Sequence, residues 1–139
     1  MEQQSILYPI IALLALILIT AVLTVTRRMA GVKAGEIKAS RFKTMDLAGV
    51  DAKYTTAGNA FNNQFQLPML FILFVLFALQ LNIVDSFFII ASWVFVALRY
   101  VHAYIHITYN HVLHRLGAFM AGAIVLYICW GRLLWMVLG

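Results

Sequence analysis

Apolar positions along the chain fall into four blocks, roughly 6–26, 65–81, 87–107 and 116–138. Each approaches the ~20 residues that a helix needs to cross ~30 Å of hydrocarbon. The pattern predicts four spanning helices, at about 6–26, 59–81, 86–108 and 115–137, with one long connection at about 27–56. The second helix is placed ahead of its apolar block because "GNAFNNQFQLPML" (58–70) reads as a helix with one polar face. Pro9 falls in the first turn of helix one, where a missing N–H costs little. Pro68 falls inside helix two and predicts a kink.

Composition narrows the class. The 139 residues are 64% hydrophobic and 11% charged, with a mean hydropathy of +0.93, whereas soluble domains run at ~45–50% apolar and ~25% charged. The expectation is an all-α integral membrane protein, one four-helix bundle domain over residues 1–139, since no repeat, low-complexity tract or Pro/Ser-rich linker divides the chain. Block one does not read as a cleaved leader: Glu2 precedes it and Arg27 and Arg28 follow it, the reverse of a signal peptide's charge order. The single cysteine, Cys129, excludes an intrachain disulfide and reads as a small core residue.

The net charge of +5 is concentrated rather than spread. Arg27, Arg28, Lys33, Lys38, Arg41, Lys43 and Lys53 lie between blocks one and two, and by the positive-inside rule this connection faces the cytoplasm. Four spans then put both termini outside, with Arg132 snorkelling and Trp130 and Trp135 in the interfacial belt. Anionic membrane lipid accounts for the charge, and no nucleic-acid role is expected. The connection itself, 29–56, has a composition that allows part of it to lie as an interfacial helix.

Polar residues inside the spans carry the candidate chemistry. On a helix, Asn59, Asn62, Asn63 and Gln66 fall at i, i+3, i+4 and i+7, one face, with Gln64 off it. Interhelical hydrogen bonds in membranes average only ~0.6 kcal/mol, so four amides on one face exceed what adhesion between helices requires. On helix three, Arg99, His102, His106, Tyr109 and Asn110 form a second stripe. Arg99 would lie about 20 Å from a start at Ser86. A buried arginine there costs ~2.5–3.5 kcal/mol on insertion scales and needs a partner inside the bundle. The five acids (Glu2, Glu36, Asp46, Asp51, Asp85) all fall outside the body of a span. Amides and carbonyls, or an anionic ligand from the cytoplasmic side, remain as partners. His102 and His106, spaced i and i+4, could clamp a metal, but four imidazoles make a poor oxygenase box and no metal site is expected.

A four-span chain carrying "NQFQLPMLF" and "RYVHAYIHITYNHVLHR" resembles the MAPEG family, the membrane-associated proteins in eicosanoid and glutathione metabolism, over nearly its whole length, and its short bacterial members most. The resemblance implies a homotrimer, placed in the bacterial inner membrane, that holds glutathione between neighbouring subunits near the cytoplasmic face. It also implies glutathione transferase, glutathione peroxidase or eicosanoid synthase activity on lipophilic small molecules. The family's Asn-x-x-Glu followed by Pro corresponds to Asn63, Gln66 and Pro68, and its Arg-x-x-His to Arg99 and His102. An arginine that stabilises the glutathione thiolate corresponds to Arg115, the catalytic candidate. Basic contacts for glutathione carboxylates resemble Arg27 and Arg28. With Asn59, His106 and Asn110 from the two stripes, these make the expected ligand set. The chain departs from the family at Gln66, where many members have Glu, at His106, where some have Tyr, and at Ala57 and Gly58, where an arginine is usual. The function expected is thiolate activation for attack on lipophilic electrophiles. The alternative is a non-catalytic trimer holding lipid or another anionic small ligand in the same cleft.

Overall fold

The computed structural model describes residues 2–139; residue 1 lies outside them. All regular elements among the described residues are helical: α1 (Glu2–Ser5), α2 (Leu7–Lys33), a 3₁₀ turn (Ala39–Lys43), α3 (Ala52–Asn62), a second 3₁₀ turn (Asn63–Phe65), α4 (Leu67–Gln80), α5 (Ser86–Ile107) and α6 (Val112–Leu138). Four stretches are long and apolar enough to cross a membrane: Gln3–Lys33, Ala52–Gln80, Ser86–Ile107 and Val112–Leu138. The chain is an integral membrane protein.

Helix α2 shows how a span in a small bundle divides its faces. Pro9, Leu13, Leu16, Thr20 and Thr24 are buried at helical spacing, while Ile11, Leu14, Leu18, Val22 and Val25 are exposed and apolar. The two buried threonines satisfy their hydroxyls on the preceding turn: Thr20 Oγ1 donates to Leu16 O at 3.0 Å and Thr24 Oγ1 to Thr20 O at 2.7 Å. Tyr100 Oη donates to Ala12 O at 2.8 Å and ties α5 to α2.

Helix α2 outruns its apolar block by two turns, and the reason is Gly31. A Cβ there would lie 2.6 Å from Ile37 Cδ1 and 3.2 Å from Tyr54 Cγ. Both neighbours are buried, so the missing side chain lets the returning chain and α3 close over the end of α2. Because α3 starts at Ala52, the connection is shorter than the sequence suggests, 34–51, and no α-helix lies within it. Its one regular piece is the 3₁₀ turn. Gly35 and Gly49 take positive φ, and Asp51 caps α3 by accepting from Lys53 N at 2.8 Å.

The second span is not one kinked helix. It breaks at Gln66 (φ −105, ψ −109), two residues ahead of Pro68, which sits in the first turn of α4. The physics is that of the expected kink, displaced: proline has no N–H for the carbonyl four residues back, and at a helix start that donor would be unpaired anyway.

The end of the bundle away from the basic connection is filled by rings. Phe71 and Phe95 stack at 4.7 Å, Phe74 meets Phe88 edge-on at 5.1 Å, and Trp130 lies 6.0 Å from Phe74. Trp130 Nε1 donates to Leu70 O at 3.3 Å, so this indole turns inward instead of joining an interfacial belt. Gly122 and Ala123 are buried on α6, with Gly122 against Phe95, and α5 and α6 pack closely along this face.

Arg132 does more than snorkel. Its Nη1 donates to Asp85 Oδ1 at 3.1 Å, its Nη2 bonds Asp85 Oδ2, and its guanidinium lies 4.5 Å from the Phe87 ring. Asp85 also caps α5 by accepting from Phe88 N at 3.0 Å. Desolvation pushes the Asp85 carboxyl up, but the Phe88 amide and the Arg132 guanidinium outweigh it and leave it below its ordinary value.

Two outcomes test this account. A folded-state value below the unfolded one makes the Asp85 contribution present above about pH 4 and lost as pH falls through the lowered value. The melting temperature in detergent should therefore drop under acid, less steeply in Asp85→Asn, which still caps; Asp85→Ala should lose a further ~1 kcal/mol with the cap. Gly31→Ala should destabilise by roughly 1 kcal/mol net, since overpacking of about 1–3 kcal/mol exceeds the helix-propensity gain of about 1. A midpoint that rises in Gly31→Ala contradicts the close approach.

Candidate functional site

The break in the second span organises the polar end of the molecule. Where α3 gives way to the 3₁₀ turn, the Asn63 carbonyl accepts from Arg99 Nη2 at 3.2 Å. Arg99 is 1% exposed, and its Nε and Nη1 have no protein partner. Beside it in the break, Gln64 is fully buried; its Nε2 donates to Ala60 O at 3.1 Å and its Oε1 has no partner. Asn63 Nδ2 donates to Asn59 O at 3.0 Å, which directs the Asn63 side chain along α3.

One α-helical turn along α5 from Arg99, His102 and His106 are buried, with rings 5.8 Å apart and edge to face. Their Nδ1 atoms have no partner. Helix α5 ends at Ile107, and the chain turns through Asn110, which holds a positive φ of 47 and donates its N–H to Ile105 O at 2.8 Å. Asparagine tolerates this left-handed conformation better than most residues. The turn aims its side chain at the next helix: Arg115 Nη1, in the first turn of α6, donates to Asn110 Oδ1 at 2.8 Å and lies 3.5 Å from His106 Nε2.

These pieces enclose an open cavity of about 300 Å³. Asn63 and Gln66 form one wall, His102 and His106 the floor, and Arg115 the rim. Leu116 and Phe119 of α6 complete it with an apolar side. No acidic residue lines it, so its field is positive and suits an anionic or thiolate-bearing ligand next to an apolar one. Such a cavity lies at the small end of the ~300–1,000 Å³ typical of ligand sites. A ligand larger than a few groups therefore needs a further wall.

The sequence-derived set divides. Asn63, Gln66, His102, His106 and Arg115 come together at the cavity. Arg99 stands behind it and acts through the Asn63 carbonyl. Asn110 is not on a helical stripe, since α5 stops short of it; it reaches the site by holding Arg115. The four amides do not form a buried face: Asn59 and Asn62, on one side of α3, are exposed, Asn63 is half-buried, Gln66 beyond the break is exposed, and the buried amide is Gln64, which the helical wheel sets aside. Arg28 lies elsewhere, its guanidinium 5.7 Å from the Phe42 ring and close against Gly58, whose missing side chain makes room for it. Arg27 Nη1 donates to Thr56 Oγ1 at 3.1 Å and Ile107 O at 3.2 Å. Leu116 and Phe119 went unremarked in the sequence; their spacing from Arg115 on one helix was the available signal. Among the described residues no group of three or more His, Cys, Asp or Glu could hold a metal ion.

A four-span helical membrane protein with a cationic, half-open cavity at the basic end of its bundle is what these features define. The chain belongs to the MAPEG family, whose model matches residues 5–135. Membership points to a membrane function related to glutathione or eicosanoids. No curated protein and no solved structure gives a match to it.

Burial separates the four histidines and gives a direct check. Diethyl pyrocarbonate should modify the exposed His111 and His114 in the folded protein and spare His102 and His106, which are 2% and 4% exposed. Peptide mass mapping reads the outcome, and modification of His102 at the rate of His111 would contradict the placement.

Proposed function

We propose that this protein is a glutathione-dependent membrane enzyme of the transferase or peroxidase type, working as a homotrimer on lipophilic electrophiles. The observation that carries the reading is the Arg115 guanidinium, oriented by Asn110 and placed at the rim of a cavity with polar groups on one side and Leu116 and Phe119 on the other. Family membership supports a thiol ligand of the glutathione class.

In this reading Arg115 lies beside the sulfur and favours the thiolate by opposite charge, and the thiol proton leaves to water. The sulfur lone pair forms a bond to the electrophilic carbon as the bond to the leaving group breaks, the bonding pair departing with that group. Asn63 and Gln66 offer amide contacts to the peptide backbone, and Arg99 holds the Asn63 end of that wall in place. Gln66 supplies no carboxylate for the ligand's amino group, so glutathione binding here rests on its anionic and amide groups. The exposed amides Asn59 and Asn62, and a cavity open on one side, support a second subunit as the missing wall. A lateral opening past Leu116 and Phe119 gives a substrate dissolved in the bilayer its route in. The basic connection faces the cytoplasm, as the positive-inside rule requires, and the compartment is the bacterial inner membrane.

The test is turnover of glutathione with 1-chloro-2,4-dinitrobenzene by detergent-purified protein. Arg115→Ala should lower kcat/KM by on the order of a hundredfold, the scale of a lost charge-stabilising group, with Arg115→Lys partly restoring it. Wild-type protein that binds glutathione, seen as a rise in melting temperature, but never turns over would favour a non-catalytic trimer that holds an anionic ligand in this cleft. Equal turnover in Arg115→Ala would remove the thiolate scheme.

A further inference from the structure

A second pair of cavities, on the other side of α5, has the shape of an amphiphile. Toward the middle of the bundle, Leu16, Ile19 and Leu23 of α2 face Tyr100 and Tyr104 of α5 across a slot of about 220 Å³. At the basic end lies a polar cavity of about 420 Å³ lined by Arg27, Lys53, Thr56, Tyr109 and Asn110. Ile107 and Thr108 line both, so the apolar slot and the basic cavity are neighbours along the end of α5. From Leu23 to Leu16 the slot runs about 10 Å along α2.

The depth of the polar cavity follows from the chain itself. Arg27 is the first charged residue after the uninterrupted run from Leu7 to Thr26, and Ile107 is the last residue of α5. Two spans thus leave the hydrocarbon at the level of this cavity, where lipid headgroups lie. Arg27 binds Thr56 and the Ile107 carbonyl through Nη1, and among the described residues no carboxylate pairs with its guanidinium. Lys53 adds little, because Glu36 lies 3.3 Å and Asp51 4.0 Å from its Nζ. One uncompensated guanidinium at headgroup depth, over a slot for a single chain, is complementary to an anionic phosphate ester on an acyl tail.

We infer that the α2–α5 groove binds one anionic phospholipid per chain, its phosphate on Arg27 and an acyl chain between Ile19 and Tyr104. The site lies across α5 from the cavity bounded by His102, His106 and Arg115, and the two meet only at Asn110. It does not depend on what that cavity binds. Occupied by lipid, it would fix the spacing of α2 and α5 beyond the bonds from Tyr100 to Ala12 and from Arg27 to Ile107.

Native mass spectrometry of protein stripped of lipid in mild detergent tests this, with phosphatidylglycerol, phosphatidylcholine and inorganic phosphate as probes. Phosphatidylglycerol should bind roughly fivefold more tightly than phosphatidylcholine, the ratio that ~1 kcal/mol per basic residue near a membrane surface gives. Arg27→Gln should bring the two lipids to parity while Arg27→Lys keeps the preference, which separates lost charge from lost folding. Ile19→Trp, at an exposed position that fills the slot, should weaken both lipids. Equal binding of the two lipids by the wild type would overturn the proposal, and so would a phosphatidylglycerol preference that survives Arg27→Gln. Displacement of phosphatidylglycerol by inorganic phosphate alone would show that the slot takes no part. Intact lipid binding in Ile19→Trp, accompanied by loss of subunit association, would assign the groove to a neighbouring copy.

Discussion

A guanidinium buried in a bundle that offers it no acid sets the terms for the polar end of this molecule. Arg99 cannot be neutralised by any carboxylate of its own chain inside the spans, so its hydrogen-bond donors must find carbonyls. The carbonyl that meets it, that of Asn63, lies where the second span is broken, and the span is broken because Pro68 cannot continue the helix that precedes it. The arginine thus finds its acceptor at the break, in a 3₁₀ turn and not in an unbroken α-helix. The candidate site is assembled on this joint. Asn63 and Gln66 stand at the interruption, and the histidines follow Arg99 on the next turns of α5.

The two ends of the bundle divide their work accordingly. Away from the basic connection, Phe71, Phe74, Phe88, Phe95 and Trp130 interlock with small residues of α6, and the Asp85–Arg132 pair closes the turn between α4 and α5 against the last span. That end holds the helices in register. At the basic end, donors on Arg99, His102 and His106 are left without protein partners, and the helices part to leave cavities on both sides of α5. Rigidity at one end allows incompleteness at the other.

The sequence made the architecture legible because membrane spans are written in length and polarity, and the four blocks are cleanly separated. It also made Arg99 legible as an inward-facing group, since no other placement is tolerable at that depth. The amide ridge was misread for a specific reason. A helical wheel gives the spacing of a face but not which face meets the core: within α3 Asn59 and Asn62 point outward, Gln64 in the 3₁₀ turn takes the buried position, and the reset at Gln66 ends the register that would carry the ridge onward. Asn110 was assigned to a helical face although its left-handed conformation is what lets it hold Arg115. The Arg132–Asp85 pair spans 47 residues and leaves no periodic trace. Arg28 packs against Gly58 and beside Phe42, away from the cavity within this chain, a contact that no periodic pattern in the sequence records.

One quiet feature bears on the chemistry proposed. The only sulfhydryl in the chain, Cys129, is 3% exposed and sits fourteen residues beyond Arg115 on the same helix, about 20 Å away in the aromatic half. A catalyst that brings reactive alkylating compounds out of the bilayer risks being inactivated by its own substrates. Here the one thiol, the side chain most readily alkylated, is buried in the core and remote from the place where such compounds would be handled.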